Sequence, residues 1–214
     1  MNNFVLSADK ISKKFNSKKY VLKNIDFSIS NSEIVAVTGH NGAGKSTLLR
    51  ILAGIWNSTE GKINFNYNNS PIEKENYYKY ISYVAPYLNL YEEFTPLEHL
   101  QIFAKIRAIE FNQKESEENL KRFKLFAFRN AQIRTFSSGM KQRMKFVLAM
   151  QNKSDILFMD EPTSNLDAEG FNTVKEYILE QQSLGCGIII ATNDENEKAI
   201  SQRIIALEQV NNNF

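Results

Sequence analysis

Apolar and polar residues alternate in two early stretches of the chain, 22–29 and 62–67. Alternation with a period of two is typical of strands that have one buried face. The run at 34–38 (IVAVT) contains four consecutive apolar residues, which predicts a strand buried on both faces. A glycine-rich turn follows this strand. Residues 45–53 then favour a helix that Gly54 would end.

The middle of the chain favours helices. Thr95 can cap a helix, Pro96 would occupy its first position, and Glu98 stands where it completes a capping box. Apolar residues then recur every three positions through residue 109, and two more helices are predicted at 120–128 and 138–151. We therefore expect a helical lobe, at about 86–153, inserted into a single domain whose core comprises 1–85 and 154–214.

The last third of the chain again alternates strands and helices. Buried strands are predicted at 156–159 and 187–192, a helix at 171–182, and a short last strand at 203–208. Alternating elements of this kind predict an α/β fold with a mostly parallel sheet covered on both faces. Ligands in such sheets bind beyond the carboxyl ends of the strands.

Composition and charge exclude several classes of protein. The 214 residues carry 26 Lys+Arg against 24 Asp+Glu, a formal net charge of +2, which argues against binding to nucleic acid mainly through charge. A single cysteine excludes an internal disulfide framework. No apolar run reaches the roughly 20 residues of a membrane span, and the N-terminus lacks the apolar region of a secretory signal. These features predict a soluble, cytoplasmic protein, with any membrane role exercised through a partner.

The glycine-rich turn matches a phosphate-binding motif. Residues 39–46 (GHNGAGKS) fit G-x-x-x-x-G-K-S/T and lie between the predicted buried strand and a helix start. Backbone N–H groups and the helix N-terminus would hold phosphates, Lys45 would reach the β- and γ-phosphates, Ser46 would bind Mg²⁺, and Thr47 could bond the α-phosphate. A glycine-rich turn that matches by chance is the alternative. The residues expected to contact nucleotide are Gly39, Asn41, Gly42, Ala43, Gly44, Lys45, Ser46 and Thr47.

Two carboxylates follow the predicted strand at 156–159. In a phosphate-loop fold the first, Asp160, is expected to hold Mg²⁺ through water, and the second, Glu161, can act as general base toward the attacking water. A solvated acidic turn is the alternative, because Pro162 follows at once.

Residues 136–143 (FSSGMKQR) resemble the signature segment of ABC ATPases, L-S-G-G-Q-x-Q-R. The positions that agree are Ser137, Gly139, Gln142 and Arg143, and those that depart are Phe136, Ser138 and Met140. Residues 164–167 (SNLD) resemble the D-loop of the same family. Phe15 resembles the aromatic residue that stacks on adenine, and Tyr20 is a weaker candidate. The resemblance is to small, single-domain ATP-binding subunits of bacterial exporters. It implies a P-loop NTPase fold with an N-terminal antiparallel β part and an inserted helical subdomain.

The signature segment also predicts a second anion site. Ser137, Ser138 and Gly139 would open a helix whose first N–H groups are free to bind an anion. One chain has no need of two triphosphate cradles, so the second would serve the ATP of another subunit. The resemblance implies a head-to-tail homodimer, formed on ATP binding, in which each ATP touches Lys45 of one chain and Ser137 and Gly139 of the other.

The chain departs from the family pattern at two positions. Pro86 stands where the family has a glutamine, and it has no amide side chain to bind Mg²⁺ or water; Tyr87 or Asn89 could substitute. Asn193 stands where the family has a histidine that contacts the γ-phosphate. An amide can donate a hydrogen bond but cannot carry positive charge, so we expect hydrolysis that is retained but slow.

The resemblance implies an ATP-hydrolysing subunit of an ABC transporter. It would use ATP and Mg²⁺, and it would act on an integral membrane subunit from the cytoplasmic face. The alternative is a soluble ABC ATPase that acts in cofactor or complex assembly. The absence of a coiled-coil arm and the small net charge argue against a role on nucleic acid. We expect a solvated His40, a packing role for Cys186 and a disordered tail at 211–213.

Overall fold

The computed structural model describes residues 3–15, 19–208 and 210, so the predicted disorder at 211–213 lies outside the described residues. The strands are β1 (Phe4–Lys14), β2 (Tyr20–Ser30), β3 (Ile34–Thr38), β4 (Glu60–Tyr67), β5 (Ser70–Pro71), β6 (Ile81–Val84), β7 (Ile156–Asp160), β8 (Gly187–Ala191) and β9 (Arg203–Ala206). The helices are α1 (Lys45–Leu52), α2 (Pro96–Arg107), α3 (Gln113–Arg122), α4 (Ser138–Met150), α5 (Ala168–Ser183) and α6 (Glu195–Ala199). Short 3₁₀ turns lie at Lys74–Lys79, Phe126–Phe128 and Ile133–Thr135.

The chain divides into two compact units. The first, which we call the core unit, comprises residues 1–83, 154–161 and 180–214. The second, the helical unit, comprises residues 84–153 and 162–179. The chain passes between the units four times; one crossing lies within β6, between residues 83 and 84, and another follows residue 161, the first residue after β7.

One sheet of the core unit is antiparallel, in the order β2-β1-β4-β5. Strand β1 was not among the predicted elements. Its alternation of buried residues (Phe4, Leu6, Ala8) is interrupted by a register shift before Ile11, where Lys10 adopts a positive φ of 48°. This bulge breaks the period of two on which the sequence prediction depends.

The other sheet has the order β6-β7-β8-β3-β9, and β3 pairs in parallel with both β8 and β9, as β7 does with β8. All five residues of β3, β7 and β8 are buried, as expected for parallel strands covered on both faces. The sheet confirms the predicted α/β fold. The carboxyl ends of β3, β7 and β8 therefore meet at one edge, and the residues that follow them are the predicted site residues.

The helical unit confirms the predicted helix start at Thr95. The Thr95 hydroxyl accepts the Glu98 N–H at 3.3 Å, and the Glu98 carboxylate accepts the Thr95 N–H at 2.8 Å. The helix predicted at 120–128 was wrong. Helix α3 ends at Arg122, and Lys124 has a positive φ of 56°, so the aromatic residues beyond it lie on a turn and not on one helix face. Phe123 instead stacks on Phe146 of α4, with ring centroids 5.6 Å apart.

Within the described part of the chain, the helices are all too short or too polar to cross a bilayer.

Candidate functional site

The phosphate-binding loop connects β3, an interior strand of the parallel sheet, to α1. Gly39, Gly42 and Gly44 all have φ between +87° and +146°, so the loop follows a path that L side chains rarely adopt. Close packing adds a second constraint, because a Cβ at Gly39 would lie 2.8 Å from the Leu207 carbonyl oxygen and one at Gly44 would lie 2.8 Å from Leu22 Cδ2. These contacts hold the loop between β2 and the segment after β9.

Lys45 is the first residue of α1 and is 7% exposed. Its ammonium folds back over the loop and donates hydrogen bonds to the carbonyl oxygens of Gly39 (2.7 Å) and His40 (3.3 Å). A buried ammonium held by neutral carbonyls is a charge that an anion can neutralise. His40 itself is exposed, in agreement with the sequence prediction.

An open pocket of about 270 Å³ lies beside the loop. It is lined by Val21, Asn41, Gly42, Gly44, Lys45, Ser46, Thr47 and Glu161. Six of these eight residues belong to the predicted phosphate-contact set, and the seventh, Glu161, is the predicted base. The lining of this pocket therefore combines loop backbone, an ammonium, two hydroxyls and a carboxylate.

Asp160 is the last residue of β7 and is 2% exposed. Its Oδ2 atom is buried and accepts no hydrogen bond from the described residues. A buried carboxylate oxygen without a donor is costly unless a cation or ordered water serves it. Asp160 and the Ser46 hydroxyl are oxygen donors of the kind that Mg²⁺ takes, so this chain's residues fit the ion.

Glu161 follows Asp160 with a positive φ of 44°, and its N–H donates to the Ala191 carbonyl at 2.9 Å. A left-handed conformation at a glutamate is strained, and such strain clusters at functional sites. The bond to the end of β8 fixes the turn, so the Glu161 side chain stands exposed on the pocket wall.

Asn193 lies just beyond the carboxyl end of β8 and contacts the phosphate-binding loop. Its Oδ1 accepts the Gly39 N–H at 3.3 Å, and its Nδ2 lies 3.5 Å from Asn41 Oδ1. The side chain is exposed. The core unit thus brings together the loop, Glu161 and Asn193, which sequence analysis had placed at the ends of three different strands.

Phe15 directly follows β1 and is 44% exposed. Phe15 follows β1 at the end where Lys14 pairs with Tyr20, and Val21, the next residue of β2, lines the pocket. Tyr20, the weaker candidate for adenine stacking, donates its hydroxyl to Glu60 at 2.9 Å and has the Lys14 ammonium 4.0 Å from its ring centre.

Ser137 and Gly139 form a second group, which lies entirely within the helical unit. Ser137 caps α4, and its hydroxyl accepts the Met140 N–H at 3.2 Å. A Cβ at Gly139 would lie 3.0 Å from the Asn165 carbonyl oxygen, so a side chain there would displace the 164–167 segment. An open pocket of about 380 Å³ is lined by Ser137, Ser138, Gly139, Met140, Arg143, Asn165, Leu166 and Asp167.

An ion pair that sequence analysis did not foresee connects this group. Arg143 donates to Asp167 Oδ1 at 2.6 Å, and the same oxygen accepts the Gly170 N–H at 2.8 Å. The Gly170 N–H and then Arg143 hold the pKa of the Asp167 carboxyl below its usual value. Motif matching had identified both residues, but nothing in their spacing indicates that they meet.

Pro86 lies in the helical unit, and its carbonyl oxygen accepts a hydrogen bond from the Lys145 ammonium. Lys145, on α4, is 8% exposed; burial, together with the charge of Lys141, lowers its pKa. Sequence analysis missed this contact because a lysine in a helix is usually exposed. Tyr87 and Asn89, the suggested substitutes for the missing glutamine, are both exposed.

A family model described as ABC transporter matches residues 22–164. The chain belongs to this family. The matched range begins in β2 and contains the phosphate-binding loop, the signature segment and both carboxylates after β7.

Two relatives in Bacillus subtilis (strain 168) carry ATP-binding names. The uncharacterized ABC transporter ATP-binding protein YybJ is 33% identical over 89% of this chain and 86% of its own length. The arginine transport ATP-binding protein ArtM is 32% identical over 96% of this chain and 88% of its own. Homologues of this kind identify the chain as an ATP-binding subunit of an ABC transporter.

A solved structure of the ATP-binding cassette MJ0796, a dimer in a post-hydrolysis state bound to ADP and inorganic phosphate, superposes with a TM-score of 0.83. The sequences are 25% identical, and the match covers 95% of this chain and 94% of that one. It confirms the predicted P-loop NTPase fold, with its parallel sheet, antiparallel β part and helices.

Proposed function

We propose that this chain binds and hydrolyses ATP in the pocket beside residues 39–46 and that it drives transport through a separate membrane subunit. The observation that carries the proposal is the convergence of Lys45 and Glu161 on one pocket. Lys45 supplies the positive charge that phosphates need, and Glu161 supplies a carboxylate in the same pocket. The family membership favours transport over a role in complex assembly.

The phosphates would bind to the Lys45 ammonium and to backbone N–H groups of the loop. The Lys45 ammonium would exchange the Gly39 and His40 carbonyls for the β- and γ-phosphate oxygens, because a charge-assisted hydrogen bond is stronger than one to a neutral carbonyl. The N–H groups of residues 42–46 would enclose the phosphates at the N-terminus of α1, and Thr47 would bond the α-phosphate.

Mg²⁺ is the metal that this pocket fits. The Ser46 hydroxyl would bind it directly, and Asp160 Oδ2, buried and without a donor among the described residues, would hold it through water. When bound, the ion neutralises charge on the β- and γ-phosphates. Glu161 would orient the attacking water and accept its proton, since its backbone is fixed by the bond to Ala191 while its side chain is exposed.

Ser137 and Gly139 would contact the γ-phosphate of ATP bound to a second copy of the chain. The Ser137 hydroxyl already accepts the Met140 N–H, so the N–H groups of Ser138 and Gly139 at the start of α4 would bind the anion. The dimer seen for the related cassette supports this arrangement. We infer a homodimer that closes on ATP and opens after hydrolysis.

Turnover is expected to be slow. Asn193 contacts the loop through an uncharged amide, so it can offer the γ-phosphate a neutral donor only. Pro86 has no polar side-chain group that could bind the metal or the water, and its carbonyl oxygen already accepts a hydrogen bond from Lys145. Glu161 is present, so hydrolysis is retained.

The direct test is ATP hydrolysis by the purified chain. The wild-type protein should release phosphate only with Mg²⁺; Glu161→Gln should bind ATP but lose turnover by at least about a hundredfold, and Lys45→Ala should lose binding. Glu176→Gln, an exposed carboxylate on α5, is the matched control and should behave as the wild type. Equal turnover in the Glu161→Gln and wild-type proteins would refute the role given to Glu161.

The membrane partner requires a separate experiment. Tagged Glu161→Gln protein, which should remain in the ATP-bound form, would be purified from membranes in mild detergent with ATP and analysed by mass spectrometry. A stoichiometric polytopic membrane protein would support attachment to the inner face of the cell membrane. Recovery from the soluble fraction alone, with a soluble partner, would favour the assembly role.

A further inference from the structure

Phe15 contacts the chain's single tryptophan. The ring centroids of Phe15 and Trp56 lie 5.4 Å apart, and the planes are inclined at 78°, an edge-to-face arrangement. Trp56 is half-buried, whereas Phe15 keeps 44% of its surface exposed. The tryptophan therefore supports a ring that remains accessible to a ligand.

The segment that carries Trp56 is fastened to the end of β1 by hydrogen bonds. The Thr59 N–H donates to the Ser12 carbonyl at 2.8 Å, and the Lys14 N–H donates to the Thr59 hydroxyl at 3.0 Å. Lys13 Nζ donates to the Asn57 carbonyl at 2.7 Å and lies 5.1 Å from the centre of the Phe15 ring. These bonds hold the residues on either side of the two rings together.

Trp56 is also tied to the helix that begins at the phosphate-binding loop. The backbone N–H of Trp56 donates to the Arg50 carbonyl at 3.1 Å, and the Arg50 guanidinium lies 4.5 Å from the centre of the indole ring. Lys74 Nζ donates to the Trp56 carbonyl at 3.3 Å. Helix α1, with Lys45 at its start and Arg50 in its last turn, therefore fixes the indole relative to the phosphate site.

We propose that Trp56 is a positioning residue that holds Phe15 in the orientation needed to stack on the base of a bound nucleotide. The inference rests on the proposed function, and it assigns Trp56 to recognition of the base, not of the phosphates. Phe15 directly follows β1 and is 44% exposed, so its side chain would have several accessible rotamers without a neighbouring ring. The perpendicular indole restricts them, so less conformational freedom is lost when a base stacks.

If Trp56 positions Phe15, replacing Trp56 should weaken the binding of ligands that carry a base and leave the binding of ligands without a base unchanged. In Trp56→Leu the Phe15 ring would lose its edge-to-face partner, and ATP should bind about two- to tenfold more weakly, the range expected for one aromatic pair. Inorganic tripolyphosphate has the same phosphates but no base, and its affinity should not change. Trp56→Phe keeps an aromatic partner and should restore most of the ATP affinity.

The experiment is isothermal titration calorimetry of the full chain with ATP and with tripolyphosphate. The variants are Trp56→Leu and Trp56→Phe, and the matched control is Tyr78→Leu, an exposed aromatic of the core unit. Loss of ATP affinity in Trp56→Leu, with tripolyphosphate binding kept and Trp56→Phe near wild type, supports the assignment. Tripolyphosphate binding also shows that the Trp56→Leu protein has folded.

Two outcomes would overturn the inference while leaving the proposed function intact. One is unchanged ATP affinity in Trp56→Leu; the other is equal weakening of ATP and tripolyphosphate, which would mean that Trp56 acts on the whole site. Failure of the proposed function is distinguishable, because the wild-type protein would then bind neither ligand.

Discussion

The Gly39 N–H donates a hydrogen bond to Asn193 Oδ1 at 3.3 Å, so the second residue after β8 touches the first glycine of the phosphate-binding loop. The family resemblance predicts a histidine at this position, and this chain has an uncharged amide there. The Asn193 Nδ2 group lies 3.5 Å from Asn41 Oδ1, close to the pocket that Asn41 lines. The amide is therefore near enough to donate to a phosphate after a small rotation.

Replacing this amide by an imidazole is expected to accelerate hydrolysis. A charged donor contributes about 1.5–3 kcal/mol to a hydrogen bond against about 1 for a neutral one. Asn193→His should therefore raise turnover about two- to thirtyfold, measured as phosphate release at saturating ATP. Asn193→Ala, which offers no donor, is the control and should be slower than wild type. No rise in Asn193→His would count against the explanation.

Pro86 allows a similar test. Pro86→Gln would restore a side-chain amide without removing the backbone carbonyl that accepts from Lys145. Turnover should rise several-fold above that of Pro86→Ala, which removes the proline ring without adding an amide. If the glutamine and alanine variants hydrolyse ATP at the same rate, the missing amide does not limit this enzyme.

His99 is expected to make the protein less stable in acid. Its Nε2 accepts the Tyr91 N–H at 2.8 Å, and burial among Tyr91 and Phe94 lowers its pKa below 6.5. The unfolded chain therefore takes up a proton at a higher pH than the folded one. The contribution of His99 to stability is full above pH 6.5 and is lost as the pH falls through the folded pKa.

The midpoint of thermal unfolding, measured by circular dichroism at about pH 7.5 and about pH 5.5, tests this expectation. His99→Gln can still accept the Tyr91 N–H but cannot titrate, so its midpoint should fall less between the two pH values. His40, the only other histidine, is exposed, and His40→Gln is the matched control. An identical fall in His99→Gln and wild type would exclude His99 as the cause.

Cys186 should be inert in the folded protein. It is 4% exposed, and burial together with the charge of Asp155 raises the pKa of its thiol to about 12. The thiolate is the reactive form, so an aromatic disulfide reagent at neutral pH should label it only after unfolding in urea. Labelling is followed by the absorbance of the released thiol. Rapid labelling of the native protein would show that the Cys186 thiol becomes accessible to solvent without unfolding.

The chain pattern predicted the parallel sheet and the phosphate-binding loop because both depend on local signals. A run such as IVAVT favours a buried strand when a phosphate-binding motif follows it. The capping box at Thr95 and Glu98 was also predicted, since its members are three residues apart. Strand β1 was missed because the bulge at Lys10 interrupts its alternation.

Contacts between residues far apart in sequence could not be predicted. Lys145 lies 59 residues from Pro86, and neither residue type indicates a partner. The same holds for Phe15 and Trp56, which meet only because residues 56–59 are bonded to the end of β1. Site residues that belong to one continuous motif could therefore be predicted from the sequence. Contacts that depend on the packing of distant segments could not.

ATP bound between two copies of the chain should make dimerisation depend on nucleotide. Light scattering of Glu161→Gln measures this dependence, with Lys45→Ala and Ser137→Arg added separately to that variant. We expect a monomer without nucleotide, a dimer with ATP and Mg²⁺, and no dimer in either double variant, although the Ser137→Arg protein should still bind ATP. A Glu161→Gln protein that binds ATP and remains monomeric would show that ATP does not join two copies.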